Sequence, residues 1–367
     1  MPHRGRASPT SYARPIAEEM HASSVSVVIP CYNYGRYLRD CVRSVLEQPG
    51  VDVRVLIIDD ASTDDSAAVA ADLAADPRVE LRVHALNQGS TRTFNEGLLQ
   101  WATGTYTVLL DADDMLTPGA LQRACALMDT HPQVGFVYGR PLIFHDRGAL
   151  PHASRAAGRW IIQPGHRWFE ARCRTAENCI QNPEVVMRSR WLRQLGGCRA
   201  ELPHTSDFEM WMRLALYADV GYIRGPHQAY YRDHPASMRH VHFATSLADL
   251  QQVWSAFALL FRDHGHVLAD RVHFEQQARR ALARRALCAA CRSYDWGPLS
   301  MTEVHGLEEL ATTVYDHAAD LGESRGLRWR KRLGPRWCRI LHPLFMVTVG
   351  KRLYRGLRRW RLRRTGR

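Results

Sequence analysis

Apolar positions along the chain alternate between short continuous runs and stretches spaced by three and four. Val25-Ser26-Val27-Val28-Ile29-Pro30 is β-branched and closed by proline, which predicts a buried strand. The spacing of Leu38, Cys41, Val42, Val45 and Leu46 predicts a helix over 37–46. The same alternation continues. Strands are expected at 53–58, 79–83 and 105–110, and helices at 66–75 and 93–102. Further on, a helix is expected over 118–128, strands at 134–138, 184–187 and 220–223, and a helix over 207–217. Strands alternating with helices imply βαβ units and a mostly parallel, doubly wound sheet with helices on both faces. Residues 145–180 lack periodicity and are expected as a loop region with short helices. Helical patterns return at 242–292 and 307–321.

In such sheets ligands sit beyond the carboxyl ends of the strands. Three polar runs fall there: Pro30-Cys31-Tyr32-Asn33, Asp59-Asp60 and Asp111-Ala112-Asp113-Asp114. The last packs three carboxylates into four positions behind Val108-Leu109-Leu110. Crowded carboxylates repel unless a cation is present. Mg²⁺ or Mn²⁺ suits such a place, because Mg²⁺ takes one or two carboxylates and completes its shell with substrate phosphates.

The other candidates each have a plain alternative. Asp60 can accept the imide N–H of uracil, favouring a UDP donor, or cap a helix. Tyr32 can stack on a base or be a half-buried turn aromatic. Asn87-Gln88-Gly89-Ser90-Thr91-Arg92 opens a helix, where backbone N–H groups favour anions and Arg92 can pair with a diphosphate or stay solvated. Asp207, at a helix start, is a candidate general base or an N-cap. Glu209 is the second candidate for that role. In Tyr231-Arg232-Asp233-His234, Arg232 or His234 can neutralise a leaving diphosphate, complete a metal shell or be structural. No HExxH, GxSxG or Walker-type run is present, which leaves metal-assisted transfer as the chemistry the carboxylates support.

Charge divides the chain. Net charge is +12, yet Ser324 to Arg367 holds sixteen Lys or Arg and no acid, so the remainder is mildly acidic. Within this tail Trp337, Ile340, Leu341, Leu344, Phe345, Val349, Leu353, Leu357 and Trp360 interleave with the cations. That composition suits an interfacial helix on anionic lipid, with Pro343 expected to break it in two. No specific nucleic-acid binding is expected. Nine cysteines, an odd number without framework spacing, favour a reducing compartment. Cys288-Ala-Ala-Cys291 has redox or zinc spacing but sits in an Ala-rich helical stretch without a second pair. No apolar run is long enough to span a membrane, and residues 1–24 lack the apolar core of a secretory signal. The expected location is the cytoplasmic face of a membrane, peripherally attached.

The motifs in their order resemble the family-2 inverting glycosyltransferases of the GT-A fold. The resemblance rests on Val25 to Asn33, Ile58-Asp59-Asp60-Ala61-Ser62-Thr63-Asp64, Asn87-Gln88-Gly89, Asn95-Glu96-Gly97, Leu110 to Asp114 with Pro118, Val186-Met187-Arg188, Leu195-Gly196-Gly197, Asp207 to Arg213 and Tyr231 to His234. It covers roughly residues 24–238. It implies that Pro30, Tyr32 and Asp60 line the nucleobase site; Asn33, Asn87 and Arg92 are expected as further donor contacts from their places after the first and third strands. It makes Asp111-Ala112-Asp113 a DxD motif, Asp111 toward ribose and sugar and Asp113 toward the metal. Asp207 becomes the catalytic base, and His234 lies near the diphosphate and metal.

The chain departs from that pattern where Phe94 replaces an Arg common before the motif Asn, and where Ser206-Asp207 replaces Glu-Asp. The QxxRW signature of processive synthases is absent, which argues for one sugar per event. The implied activity is transfer from a nucleotide-sugar to a hydroxyl of a glycan or lipid-linked acceptor in surface polysaccharide biosynthesis. The expected organisation is a flexible arm at 1–23, a transferase domain at 24–240, a helical extension at 241–323 and a basic amphipathic tail at 324–367. Two other classes stay open. A nucleotidyltransferase predicts a basic, Gly-rich phosphate loop, which Cys31 to Arg36 fits poorly. A non-catalytic carbohydrate-binding protein on a degraded transferase fold is compatible with Phe94 and Ser206.

Overall fold

The computed structural model describes residues 11–12, 22–145, 150–154, 158–235, 237, 245–296 and 300–341. Two compact units divide the chain. The first holds the chain to Trp168 and Ile180–His234; the second holds Phe169–Cys179 and the described residues from Pro235 onward.

In chain order the first unit begins with β1 (Ser11–Tyr12), β2 (Ser23–Cys31), α1 (Gly35–Leu46), β3 (Val51–Asp59), α2 (Ser66–Leu73) and β4 (Val79–Val83). It continues with α3 (Ser90–Asn95), which runs on as a π-helical stretch over Glu96–Trp101, then β5 (Tyr106–Leu109), β6 (Met115–Leu116) and α4 (Ala120–Thr130). Next come β7 (Val134–Tyr138), β8 (Pro141–Phe144), β9 (Arg159–Gln163) and α5 (Gly165–Thr175), inside which the two units divide. β10 (Val186–Arg188), α6 (Ser189–Leu195), α7 (Ser206–Tyr217), β11 (Asp219–Arg224) and β12 (Ala229–Arg232) complete it.

One nine-stranded sheet runs β1-β9-β11-β7-β10-β5-β2-β3-β4, and a small sheet runs β6-β12-β8. The half from β5 to β4 is wholly parallel, and β2 pairs with β3 over nine positions. Val25, Val27, Val28 and Ile29 are all buried, as expected of a strand covered on both faces. α1 turns Tyr37, Leu38, Cys41, Val42 and Val45 inward and leaves Arg36, Arg39, Asp40 and Arg43 exposed. Antiparallel β10 is inserted between β5 and β7, so the far half of the sheet is mixed.

Three details differ from the periodicity. The stretch 145–180 contains a full strand, β9, and the 11-residue α5. Its many Arg and His residues mask the apolar Trp160, Ile161, Ile162, Trp168 and Phe169, all of which are buried. Ser11–Tyr12, inside the expected arm, pairs with β9. The helix expected at 93–102 widens into a π turn.

The second unit is helical: α8 (Ser246–His264), α9 (Arg271–Asp295), α10 (Met301–Val314) and α11 (Gly322–Leu341). Alanines 278, 281, 283, 286, 289 and 290 on α9 are buried, and small side chains let helices approach closely. Phe169 packs edge-on against Phe261 and Phe274. Arg330 pairs with buried Asp295 through two hydrogen bonds of 2.8 and 2.9 Å. The break in α11 falls at Gly334, φ +74°, just before Pro335; Pro343 and the tail beyond Leu341 lie outside the described residues. Among the described residues no disulfide joins any of the nine cysteines, Cys288 and Cys291 included. Among the described residues no helix is long and apolar enough to cross a membrane.

Candidate active site

β2, β3 and β5 are adjacent and parallel, with Cys31 level with Asp59 and Val28 level with Leu109. Their carboxyl ends therefore deliver Pro30–Asn33, Asp59–Asp60 and Asp111–Asp114 to one edge, as the sequence pattern required.

Asn33 takes a left-handed backbone, φ +60°, a conformation that asparagine tolerates better than most residues. Its Oδ1 accepts hydrogen bonds from the Thr63 N–H at 2.7 Å and the Asp64 N–H at 3.3 Å, tying the loop after β2 to the loop after β3. Tyr32 beside it is 47% exposed, leaving its ring face open. Asp59 and Asp60 have different environments. Asp59 turns inward and accepts the Ser62 N–H at 3.1 Å. Asp60 accepts the N–H of Gln88 at 2.8 Å and that of Gly89 at 3.0 Å, and its Oδ1 lies 2.7 Å from His84 Nδ1. Burial alone would raise the Asp60 pKa; the hydrogen bonds from His84, Gln88 and Gly89 outweigh it and hold it below the usual range. Asn87 Oδ1 accepts the Gly89 N–H at 3.0 Å, and Arg92 is exposed.

The acidic turn separates its three carboxylates. Asp114 is buried and accepts the Arg232 N–H at 2.8 Å, which fastens β12 to the turn. Asp113 Oδ2 lies 2.9 Å from His234 Nε2, and the Asp113 carbonyl accepts Arg232 Nε–H at 2.8 Å. Asp111 Oδ2 accepts Asn182 Nδ2–H at 3.3 Å. Ala112 between them is buried, so the turn's apolar side faces the core.

Asp207 opens α7, and its Oδ1 accepts the Phe208 N–H at 2.6 Å. Its charge is felt at Asp111. Burial, the Asp113 charge and the Asp207 charge raise the Asp111 pKa to about 7, against the Asn182 hydrogen bond. Asp111, Asp113 and Asp207 thus share one electrostatic environment. Glu209, two residues on, is fully buried between Arg213, 3.0 Å away, and Arg199, 3.1 Å away. It is closed to a substrate.

Four contributors escaped the sequence reading. His84 and Glu96 join Asp60 in a partly buried chain, Asn182 contacts Asp111, and Tyr34 stands edge-on to His234 with ring centroids 5.7 Å apart. Burial and the charges of Asp113 and Asp111 push the Tyr34 phenol well up, so its ring borders the same acids. Asn182-Pro183 carried a turn signal, Tyr34 lay next to a chosen motif and Glu96 sat inside Asn95-Glu96-Gly97 without a role assigned to it; nothing local marked His84.

A divalent cation fits part of this donor set. Asp113 and His234 already face each other, and His234 Nδ1 is buried without a hydrogen-bond partner among the described residues. Among the described residues no group of three or more His, Cys, Asp or Glu is arranged to hold a metal, so oxygen ligands from a bound substrate would have to complete a shell.

The family model for glycosyl transferase family 2 matches residues 26–193. An uncharacterized protein of Mycobacterium tuberculosis is 31% identical over 231 residues, covering 58% of this chain and 68% of that protein. The chain spans less than half the length of several curated glycosyltransferases it also matches. Staphylococcus aureus TarS 1–349, solved with UDP-GlcNAc, aligns with a TM-score of 0.59 at 14% identity, over 89% of this chain and 92% of that one. The mannosyltransferase PcManGT of Pyrobaculum calidifontis, solved with GDP-Man and Mn²⁺, aligns with a TM-score of 0.51 at 18% identity, over 88% and 87% of the two chains. With acidic strand ends gathered at one edge of a GT-A sheet, the chain belongs to glycosyl transferase family 2 and is a glycosyltransferase.

Proposed function

We propose that the protein is a metal-dependent, inverting glycosyltransferase that moves one sugar from a UDP-linked donor to a hydroxyl of a glycan or lipid-linked acceptor in surface polysaccharide synthesis. The observation that carries this reading is the delivery of Asp60, Asp111 and Asp113 to one sheet edge by the adjacent parallel strands β2, β3 and β5, with Asp113 Oδ2 2.9 Å from His234 Nε2. A neutral donor site has no need of acids whose charges oppose one another; a cation-bound diphosphate does.

Pro30, Tyr32 and Asp60 hold the base, with Tyr32 stacking on it. Asp60 uses three of its roughly four acceptor positions on protein donors, which leaves one for the uracil imide N–H. That preference supports UDP over other nucleotides. Asn33 and Asn87 shape the loops around the base, Arg92 meets the diphosphate, and Asp111, held by Asn182, takes ribose and sugar hydroxyls. Asp113 and His234 hold Mg²⁺ or Mn²⁺, which when bound neutralises charge on the departing diphosphate. Asp207 accepts the proton of the attacking hydroxyl as it adds to the anomeric carbon from the opposite face.

The domain reading is a transferase unit at 24–240, a helical extension at 241–323 and a basic tail at 324–367 that rests on the cytoplasmic face of an anionic membrane. Trp329, Trp337 and Ile340 on α11 are each more than half exposed among arginines, which supports the tail's role.

The test begins with thermal-stabilisation screening of nucleotide-sugars with Mn²⁺ to find the donor. Asp207→Asn is then expected to lower turnover about 10²–10⁴-fold, the usual contribution of a positioned base, while UDP still binds. Wild-type turnover in that variant would refute the assignment.

A further inference from the structure

The donor-loop side of the crevice holds a charge chain that joins Asp60 and Glu96, from two separate motifs, through residues of β4 and the one after it. Glu80, Arg82 and His84 lie two residues apart from β4 into the residue after it, where side chains two apart share a face. Glu96 and Trp101 of the π-helical stretch interleave with them. Trp101 Nε1–H donates to Glu80 at 2.8 Å, Arg82 donates to Glu80 at 3.1 Å and to Glu96 at 3.1 Å, and His84 Nε2 lies 2.9 Å from Glu96. His84 Nδ1 then meets Asp60 at 2.7 Å, and Asp60 receives the Gln88 and Gly89 N–H groups.

His84 therefore has a carboxylate on each ring nitrogen, with its side chain only 7% exposed. A neutral imidazole has one donor and one acceptor nitrogen and can serve only one carboxylate; the imidazolium serves both. Burial opposes that charge, but the hydrogen bonds to Asp60 and Glu96 outweigh it and hold His84 above its ordinary pKa. The acids and cations alternate along the chain. Asp60 is kept ionised, fixed in one rotamer, and able to accept but not to donate.

We propose that His84, backed by Glu96, is a positioning residue that makes Asp60 a selective acceptor for a nucleobase imide N–H and so sets the choice of uracil over cytosine. This rests on the reading of Asp60 as the base contact. Uracil offers an N3–H to the carboxylate, whereas cytosine offers a lone pair that the fixed anion repels. Without His84, Asp60 can rotate, or take up a proton and donate to cytosine instead. Discrimination is then lost even where a nucleotide still binds.

The experiment titrates UDP and CDP, each with Mn²⁺, by calorimetry into the full chain and four variants. His84→Leu removes both contacts. His84→Asn keeps a donor near the Nδ1 position. Glu96→Gln weakens the backing charge, and Asp60→Asn controls for the base contact itself. The expected result is that the ratio of UDP to CDP affinity falls at least tenfold in His84→Leu, is largely restored in His84→Asn, and falls by less in Glu96→Gln. Circular dichroism melting accompanies each. Should His84→Leu not fold, the fall in Glu96→Gln against the restored ratio in His84→Asn carries the same comparison. An unaltered ratio in His84→Leu, or in Glu96→Gln where the former is unfolded, overturns the proposal if Asp60→Asn changes the ratio. If Asp60→Asn also leaves UDP affinity untouched, the base-contact reading fails, and this proposal with it.

Discussion

Asp207 and Glu209 are two acids in the first turn of one helix with opposite surroundings. Two positions apart on a helix means nearly opposite faces, so one borders the acidic crevice while the other enters the core. Glu209 is held by Arg213, whose guanidinium also donates to the carbonyls of Leu195, Gly196 and Gly197. The pair thereby fixes the loop before α7. Removing one partner of a buried pair leaves an uncompensated charge, typically a loss of about 3–5 kcal/mol. Glu209→Gln is accordingly expected to lower stability by about that much in denaturant titration, with the fraction that folds turning over sugar far faster than Asp207→Asn. The spacing showed that the two acids diverge; which one met an arginine depended on residues 199 and 213. Asn95 teaches the same lesson. A motif position in sequence, it donates to the Cys198 carbonyl and accepts the Cys198 N–H, both at 2.7 Å, clamping that same loop.

At the level of elements, close packing explains the motif glycines. A Cβ on Gly97 would lie 2.2 Å from Val28 Cγ1, so the π-helical stretch can sit on the central strand only without a side chain there. Gly97→Ala is expected to cost about 1–3 kcal/mol by overpacking, seen as a lower midpoint in thermal melting. The same stretch carries Glu96 to His84, so the variant is also expected to weaken UDP binding. Periodicity placed a helix here but not its widened turn, because a π turn changes hydrogen-bond register without erasing apolar spacing. At 145–180 the reverse holds. Regular elements form there against local polarity, because β9 is held between β1 and β11 by ladder hydrogen bonds that pair residues far apart in sequence. In α11 a break falls at Gly334, whose positive φ ends a helix whatever the apolar pattern around it, and the break expected at Pro343 lies outside the described residues.

For the whole molecule, one prediction concerns charge and one the exposed apolar face of the basic tail. Asp60 and Glu96 are held below their ordinary pKa values, so their contribution to stability is present above the unfolded carboxylate range and lost as pH falls through the depressed values. His84 is held above its ordinary pKa of 6.5, so its contribution is full below that value and lost as pH rises through the raised one. Thermal midpoints are therefore expected to fall on both sides of a window between about pH 5 and 6.5, and His84→Asn should flatten the alkaline limb. The second prediction concerns the tail. Combined Trp337→Ser and Ile340→Ser is expected to reduce co-flotation with phosphatidylglycerol vesicles several-fold, and unaltered flotation would remove this face from the account.

The order of strands, helices and acidic strand ends was settled by the sequence itself. A buried parallel strand needs a continuous apolar run, and its carboxyl end must leave the core, so motif and position arrive together. Charge asymmetry and the family resemblance were equally readable, since both depend on residue identity and order alone. Only the tertiary structure decided which partner each acid meets. Asp113 faces His234 while Asp114 holds β12, and His84 meets Asp60 across 24 positions of chain and Glu96 across 12. Such pairings form because burying a charge is costly without a partner, and a folded chain draws that partner from whatever segment the sheet brings alongside.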